Sequence, residues 1–180
     1  YCLNEDGMKG MGYFVTDIDW HGPYTMMAEA RAMANGDPRY IGYLASSAFN
    51  KGSIKYVREF NSNFLALPAL PSSLVENASD DPEIVVRKIE ANEYGTYLAI
   101  MNTSFEDKSS VNIKLPVRGD VADASNGIMI LADVSEITLD MFPAQLKSFI
   151  IFPSTGKLPQ TIEIKDILVK SSDDEPFKVS

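Results

Sequence analysis

The sequence predicts an α+β chain, and three observations carry that prediction. Before Pro68 the apolar residues recur at helical spacing, after Pro82 they recur at every second position, and a Pro-containing acidic stretch separates the two patterns. Helices followed by a run of strands give either an α+β fold or two successive domains.

The elements follow in order. Tyr13 to Trp20 has strand length and composition, with Phe14, Thr16, Ile18 and Trp20 on one side and Tyr13, Val15, Asp17 and Asp19 on the other. Pro23 suits a first helical position, and Met26, Met27, Ala30, Met33 and Ala34 form an apolar stripe that ends before Gly36, a candidate C′ residue. Asp37-Pro38 opens a second helical pattern through Ile41, Leu44, Ala45, Ala48 and Phe49. Ser53 caps a third, with Val57, Phe60, Phe64 and Leu65 on one face.

Pro68 to Ser73 and the acidic stretch Glu76 to Asp81 read as irregular, so 73–82 is expected to be a linker. Strands are then expected at Glu83–Glu90, Thr96–Asn102, Ser110–Leu115, Asp120–Ala124, Glu136–Met141, Gln145–Phe152 and Thr161–Lys170, spaced by Gly, Pro, Asn and Asp turns. Short strands so spaced predict an antiparallel sandwich. Thr96–Met101 and Leu146–Phe152 are apolar on both sides, as in central strands covered on each face. Tyr97, Phe142, Phe149 and Phe152, with Tyr94 and Phe105, are mostly expected in the core. Ser171 to Ser180 is polar and is expected to form a flexible tail.

The 180 residues are 45% apolar and 23% charged, enough for a core in an ordinary globular chain. The net charge of −9 is concentrated in the second half, where residues 76–180 carry ten basic against eighteen acidic side chains. Without a basic cluster, nucleic acid and anionic membranes are not expected partners. A single cysteine, Cys2, allows no internal disulfide. One His and one Cys give no zinc spacing, and no Gly-rich phosphate loop or nucleophile elbow is present, so no cofactor or metal is expected.

The second half resembles the β-sandwich domain that closes many glycoside hydrolases after their (β/α)-barrel. The resemblance rests on Gly95 to Thr103 ending in Asn102-Thr103, Val111 to Pro116, Val121-Ala122-Asp123-Ala124, Ile137 to Met141, and the turn Pro143-Ala144-Gln145 before Leu146 to Phe149. Val15 to Pro23 is similar to a late barrel strand with its crossover, and Tyr56 to Pro71 to a barrel's closing helix and exit segment. The resemblance covers about residues 11–152 and is closest in kind to bacterial polysaccharide-degrading enzymes, agarase- or porphyranase-like ones among them.

It implies a partial barrel tail of one strand and three helices at 1–72, the linker at 73–82, a β-sandwich domain at 83–170 and a tail at 171–180. It further implies a C-terminal part of a secreted, periplasmic or surface glycosidase that is inactive alone. Its partners would be a polysaccharide or oligosaccharide substrate and the upstream part of its own catalytic barrel.

Barrel chemistry sits at the C-terminal ends of strands, where Asp17, Asp19, Trp20 and His21 fall. Trp20 suits stacking on a sugar ring or plugging the barrel rim; His21 suits a hydroxyl contact or a helix cap. Asp17 and Asp19 lie on one side of the strand, about 6.5 Å apart between Cα atoms, within the range of paired glycosidase carboxylates and equally suited to holding a loop, a cation or an arginine. The principal acid and nucleophile are expected upstream of Tyr1. Glu29 and Glu59 read as solvated helix faces, and the Met stripe as core. The competing reading is a carbohydrate-binding or surface adhesion sandwich, which would display aromatic side chains in a row.

Overall fold

A computed structural model describes residues 22–38 and 55–153, together with the backbone of 168–170 and 176–178. The strand expected at Tyr13 to Trp20 and the second helix, in 38–50, lie outside the described residues apart from Pro38.

Pro23–Met26 forms a 3-10 turn that runs into helix α1, Met27–Asn35. Pro23 occupies the first turn as expected, since its missing N–H has no intrahelical partner there. Gly36 ends α1 in an extended conformation (φ −178°), not in the left-handed one that a C′ glycine would adopt. Helix α2 spans Lys55–Leu65 and buries Val57, Phe60 and Asn63. The first two belong to the predicted stripe; Asn63 is a polar residue on the same face.

The strands β1 (Ser73–Leu74), β2 (Ile84–Glu90), β3 (Thr96–Asn102), β4 (Lys108–Asp123), β5 (Met129–Met141) and β6 (Leu146–Phe152) form one antiparallel sheet. Its order is β1-β2-β3-β6-β4-β5, so β3 and β6 are central, as their two-sided apolar character predicts. Ala99, Met101 and Leu146 pack with the helix residues Met26, Met27, Ala30, Met33, Val57 and Phe60. The alternate positions Val86, Leu98, Ile100, Phe149 and Ile151 pack with Ile113, Ile137 and Met141 in a second core. Helices therefore cover one face of the sheet, and the outer part of the β4–β5 hairpin covers the other. The fold is α+β, and its two sheet layers are parts of one continuous sheet.

That hairpin departs from the expected strand list. Ser110–Leu115 and Asp120–Ala124 are one strand, and β5 begins at Met129 instead of Glu136. The register shifts between Lys114 and Gly119, where Pro116 cannot donate to the ladder. Beyond this irregular stretch Asp120–Asp123 pairs with Phe149–Phe152, whereas Lys108 to Lys114 pairs with β5 alone. Gly119 permits the bend: a Cβ there would overlap the Phe152 carbonyl oxygen and lie 2.8 Å from Ile151 Cγ2. Between the two strands, Gly127 takes the left-handed conformation (φ 73°) and its N–H donates to the Asp123 carbonyl at 2.8 Å, which fits the expected Asn126-Gly127 turn.

The stretch 73–82, expected as a linker, is laid against the sheet: Ser73–Leu74 pairs with Arg87 and Lys88, and Ala78 is buried and accepts the Lys114 N–H at 2.8 Å. In the segment expected as a tail, Pro176–Lys178 pairs antiparallel with β7, Leu168–Lys170, as β8.

Candidate functional site

Asp17, Asp19, Trp20 and His21 all lie outside the described residues. The polar groups that the structure brings together are at the seam between the helices and the sheet, and they arise from the turn motifs singled out in the sequence.

Asn102 ends β3 fully buried. Its amide donates to the carbonyls of Glu106 (2.9 Å) and Phe142 (3.0 Å), and its Oδ1 accepts from the Ser104 N–H (3.0 Å) and hydroxyl (2.8 Å). In the Pro143-Ala144-Gln145 turn, Ala144 adopts φ 59° and the Phe142 N–H donates to Gln145 Oε1 at 3.1 Å. Both motifs thus converge on the backbone of Phe142. Gln145 Nε2 then reaches α2, donating to Glu59 Oε1 at 2.6 Å. Asp123 stops β4 by accepting the N–H and hydroxyl of Ser125 at 2.8 and 2.6 Å, an Asx turn.

The seam has a second anchor one turn along α2. Asn63 Oδ1 accepts both the N–H and the hydroxyl of Ser148 at 2.8 Å, and its amide donates to the Glu59 carbonyl at 2.9 Å. Ser148 needs this partner because the ladder between β4 and β6 ends at Phe149: the Ser148 carbonyl still accepts the Ala124 N–H at 3.0 Å, and the Ser148 N–H is left to Asn63. Sequence reasoning passed over Asn63; the available signal was a carboxamide at the position three after Phe60 on an otherwise apolar stripe.

At the other end of the helices, Arg87 donates to the Ser72 hydroxyl (2.6 Å) and carbonyl (3.2 Å) and to the Ala34 carbonyl (3.4 Å), while the Asp37 carboxylate accepts the Ser72 hydroxyl and N–H. Arg31 donates to the Thr103 carbonyl at 3.3 Å and lies over the Phe105 ring, which also contacts Tyr24. Phe105 is thereby half exposed instead of in the core, and Tyr94 is exposed as well.

Glu29 and Glu59 are half-buried, not fully solvated as the sequence suggested. Glu59 is tied to Gln145, and Glu29 Oε2 is buried with no hydrogen-bond partner, so burial raises the Glu29 pKa. Outside the seam, Lys108 bridges Asp81 (2.9 Å) and Glu83 (2.6 Å). The Lys108 hydrogen bond holds the Asp81 carboxyl below its ordinary pKa, and its partners, Glu83 foremost, raise that of Lys108. Among the described residues, no three His, Cys, Asp or Glu side chains converge as metal ligands, and no helix is long and apolar enough to cross a membrane.

Two clefts flank the seam. The larger, about 860 Å³, runs beside Met33, Phe64, Leu67 and Ile89, and its polar groups Asp37, Ser72 and Arg87 already satisfy one another. The smaller, about 200 Å³, lies where β6 lacks a strand neighbour and is lined by Glu59, Asp123, Lys147, Ile130, Leu139 and Phe149.

No protein-family model and no curated protein matches the sequence. Among solved structures, the fold overlaps a chain from Bacillus halodurans C-125 to which α-N-acetylgalactosaminidase activity is ascribed, with a TM-score of 0.36 and 14% identity. The overlap covers 46% of this chain and 22% of that one, so this chain matches about a fifth of that neighbour's length. An overlap this weak does not assign an activity.

Proposed function

We propose that this chain is the C-terminal part of a polysaccharide-degrading glycoside hydrolase, in which the elements before Pro68 end a (β/α)-barrel and the strands from residue 83 onward pack on them and stabilise them. In this reading Trp20 and His21 contact the sugar, Asp17 and Asp19 hold or assist the site, and the catalytic acid and nucleophile precede Tyr1. The enzyme works outside the cytoplasm on a polysaccharide or oligosaccharide, as the resemblance to agarase- and porphyranase-like enzymes suggests.

The observation that carries the proposal is the seam. The Ala99–Met101 and Leu146–Ser148 part of one face of the central strands is committed to two helices of the same chain, through the packing of Met26, Met27 and Phe60 on Met101 and Leu146 and through the paired anchors Asn63–Ser148 and Glu59–Gln145. A face so occupied serves the helices that precede it. The competing adhesion or carbohydrate-binding reading needs a row of displayed aromatics. Among the described residues Tyr94 is displayed, whereas half-exposed Phe105 is engaged by Arg31 and Tyr24.

Hydrolysis of a polysaccharide panel, measured for the 180-residue chain and for the product of the complete coding sequence, tests the proposal. Turnover by the longer product alone is expected. Robust turnover by the 180-residue chain, or a coding sequence with no barrel upstream, would overturn it.

A further inference from the structure

The smaller seam cleft has features that the packing role does not use. Its rim holds three charged side chains with bonding capacity to spare. Lys147 has no hydrogen-bond or ion-pair partner among the described residues; Glu59 uses Oε1 for Gln145, and Asp123 uses Oδ1 for Ser125, with the second carboxylate oxygen of each unengaged there. The remaining wall is apolar, from Ile130, Leu139 and Phe149. Asn63 and Ser148 close the floor and satisfy each other, which fixes the cleft between α2 and β6. The gap exists because the chain leaves β6 after the Ala124 N–H donates to the Ser148 carbonyl at 3.0 Å, while β6 continues back to Leu146.

We propose that this cleft binds a single neutral pyranose through a vicinal diol, with Lys147 donating to the sugar hydroxyls and the carboxylates of Asp123 and Glu59 accepting from them. A hydroxyl both donates and accepts, so one diol satisfies an ammonium and a carboxylate together, and each bond polarises the next. The C–H edges of the ring meet Ile130 and Leu139. Two carboxylates against one ammonium leave the cleft negative, which disfavours anionic ligands and selects neutral sugars. The volume of about 200 Å³ is below the roughly 300–1,000 Å³ of sites for drug-sized ligands, so one ring fits and a chain does not. The site is independent of where the catalytic residues lie and is read by binding alone.

The test is a titration of the isotope-labelled 180-residue chain with glucose, galactose and N-acetylgalactosamine, followed by amide shifts, with glucuronate as the anionic control. Saturable shifts confined to residues 59–63, 123–130 and 147–149 are expected for at least one neutral sugar, with Kd of about 1–10 mM for so small a contact. Lys147→Met and Asp123→Asn should each weaken binding about tenfold while the remaining spectrum is kept. Ile130→Arg, at a half-exposed wall position, fills the cleft from the solvent side and should abolish binding even if either polar variant misfolds. No saturable shift with any neutral sugar, saturation elsewhere on the protein, or binding unchanged in Ile130→Arg would overturn the proposal.

Discussion

Replacing Asn63 by alanine is the most informative perturbation of the seam. Asn63 is 8% exposed and Ser148 1%, so removing the acceptor leaves both donors of Ser148 without a protein partner, with only the water of the adjoining cleft to replace it. Each buried donor left without a partner costs about 1–3 kcal/mol, and the hydroxyl, which can rotate, belongs at the low end. The expected destabilisation by Asn63→Ala is therefore about 2–4 kcal/mol, a large part of the 5–15 kcal/mol typical of a whole domain. Ser148→Ala alone loses only the hydroxyl bond and should cost about 1 kcal/mol. Added to Asn63→Ala it should cost almost nothing, because the hydroxyl is then already unpaired, giving a coupling of about 1 kcal/mol. Urea unfolding reads this as a lower midpoint at constant slope. An Asn63→Ala loss below about 0.5 kcal/mol, or strict additivity with Ser148→Ala, would show that the helix is held by apolar packing alone.

Other outcomes follow from the same structure. Phe60→Ala, at a site only 2% exposed, should cost about 3–5 kcal/mol in the same unfolding assay, with a loss under 1 kcal/mol placing α2 off the sheet. Gly119→Ala should cost about 3 kcal/mol or abolish folding, because the new Cβ meets the Phe152 carbonyl, and a soluble, unshifted variant would refute the bend. Glu29 has a folded-state pKa above its unfolded value, so stability falls as pH rises from the unfolded value of about 4.3 through the higher folded one. Glu29→Gln should accordingly raise Tm at pH 7, with the gain vanishing below about pH 4. Asp81 has the opposite sign: its lowered pKa contributes stability above the unfolded value of about 3.9 that is lost as pH falls through the folded one. Lys108→Met should flatten that acid limb of the Tm-against-pH curve.

How far the sequence reaches can be judged element by element. The helical stripe of Met26, Met27, Ala30 and Met33 and the two-sided apolar character of Thr96–Met101 and Leu146–Phe152 were legible, because periodicity records how many faces of an element are buried. Pro143 was legible as a turn from its proline, whereas the Asn102-Thr103 and Pro143-Ala144-Gln145 pieces were singled out only by the family resemblance, and their side-chain bonds to backbone two or three residues away came from the structure. The continuity of β4 and β5 was not legible. Much of Met129 to Ser135 is solvent-exposed, so no alternation marks it, and the strand is held by pairing with residues on the far side of a turn. Nor was Asn63 legible, since its partner Ser148 is 85 residues away.

By itself, then, the sequence determined the α+β class, the helix faces, the two central strands and the local turns, all of them consequences of short-range periodicity and backbone chemistry. Only the tertiary structure decided that the sheet layers are one folded-over sheet, that Glu29 Oε2 is buried while Glu59 is tied to Gln145, and that a polar cleft remains where β6 outruns β4. Those properties depend on which distant segments meet, and no local pattern encodes a partner's position.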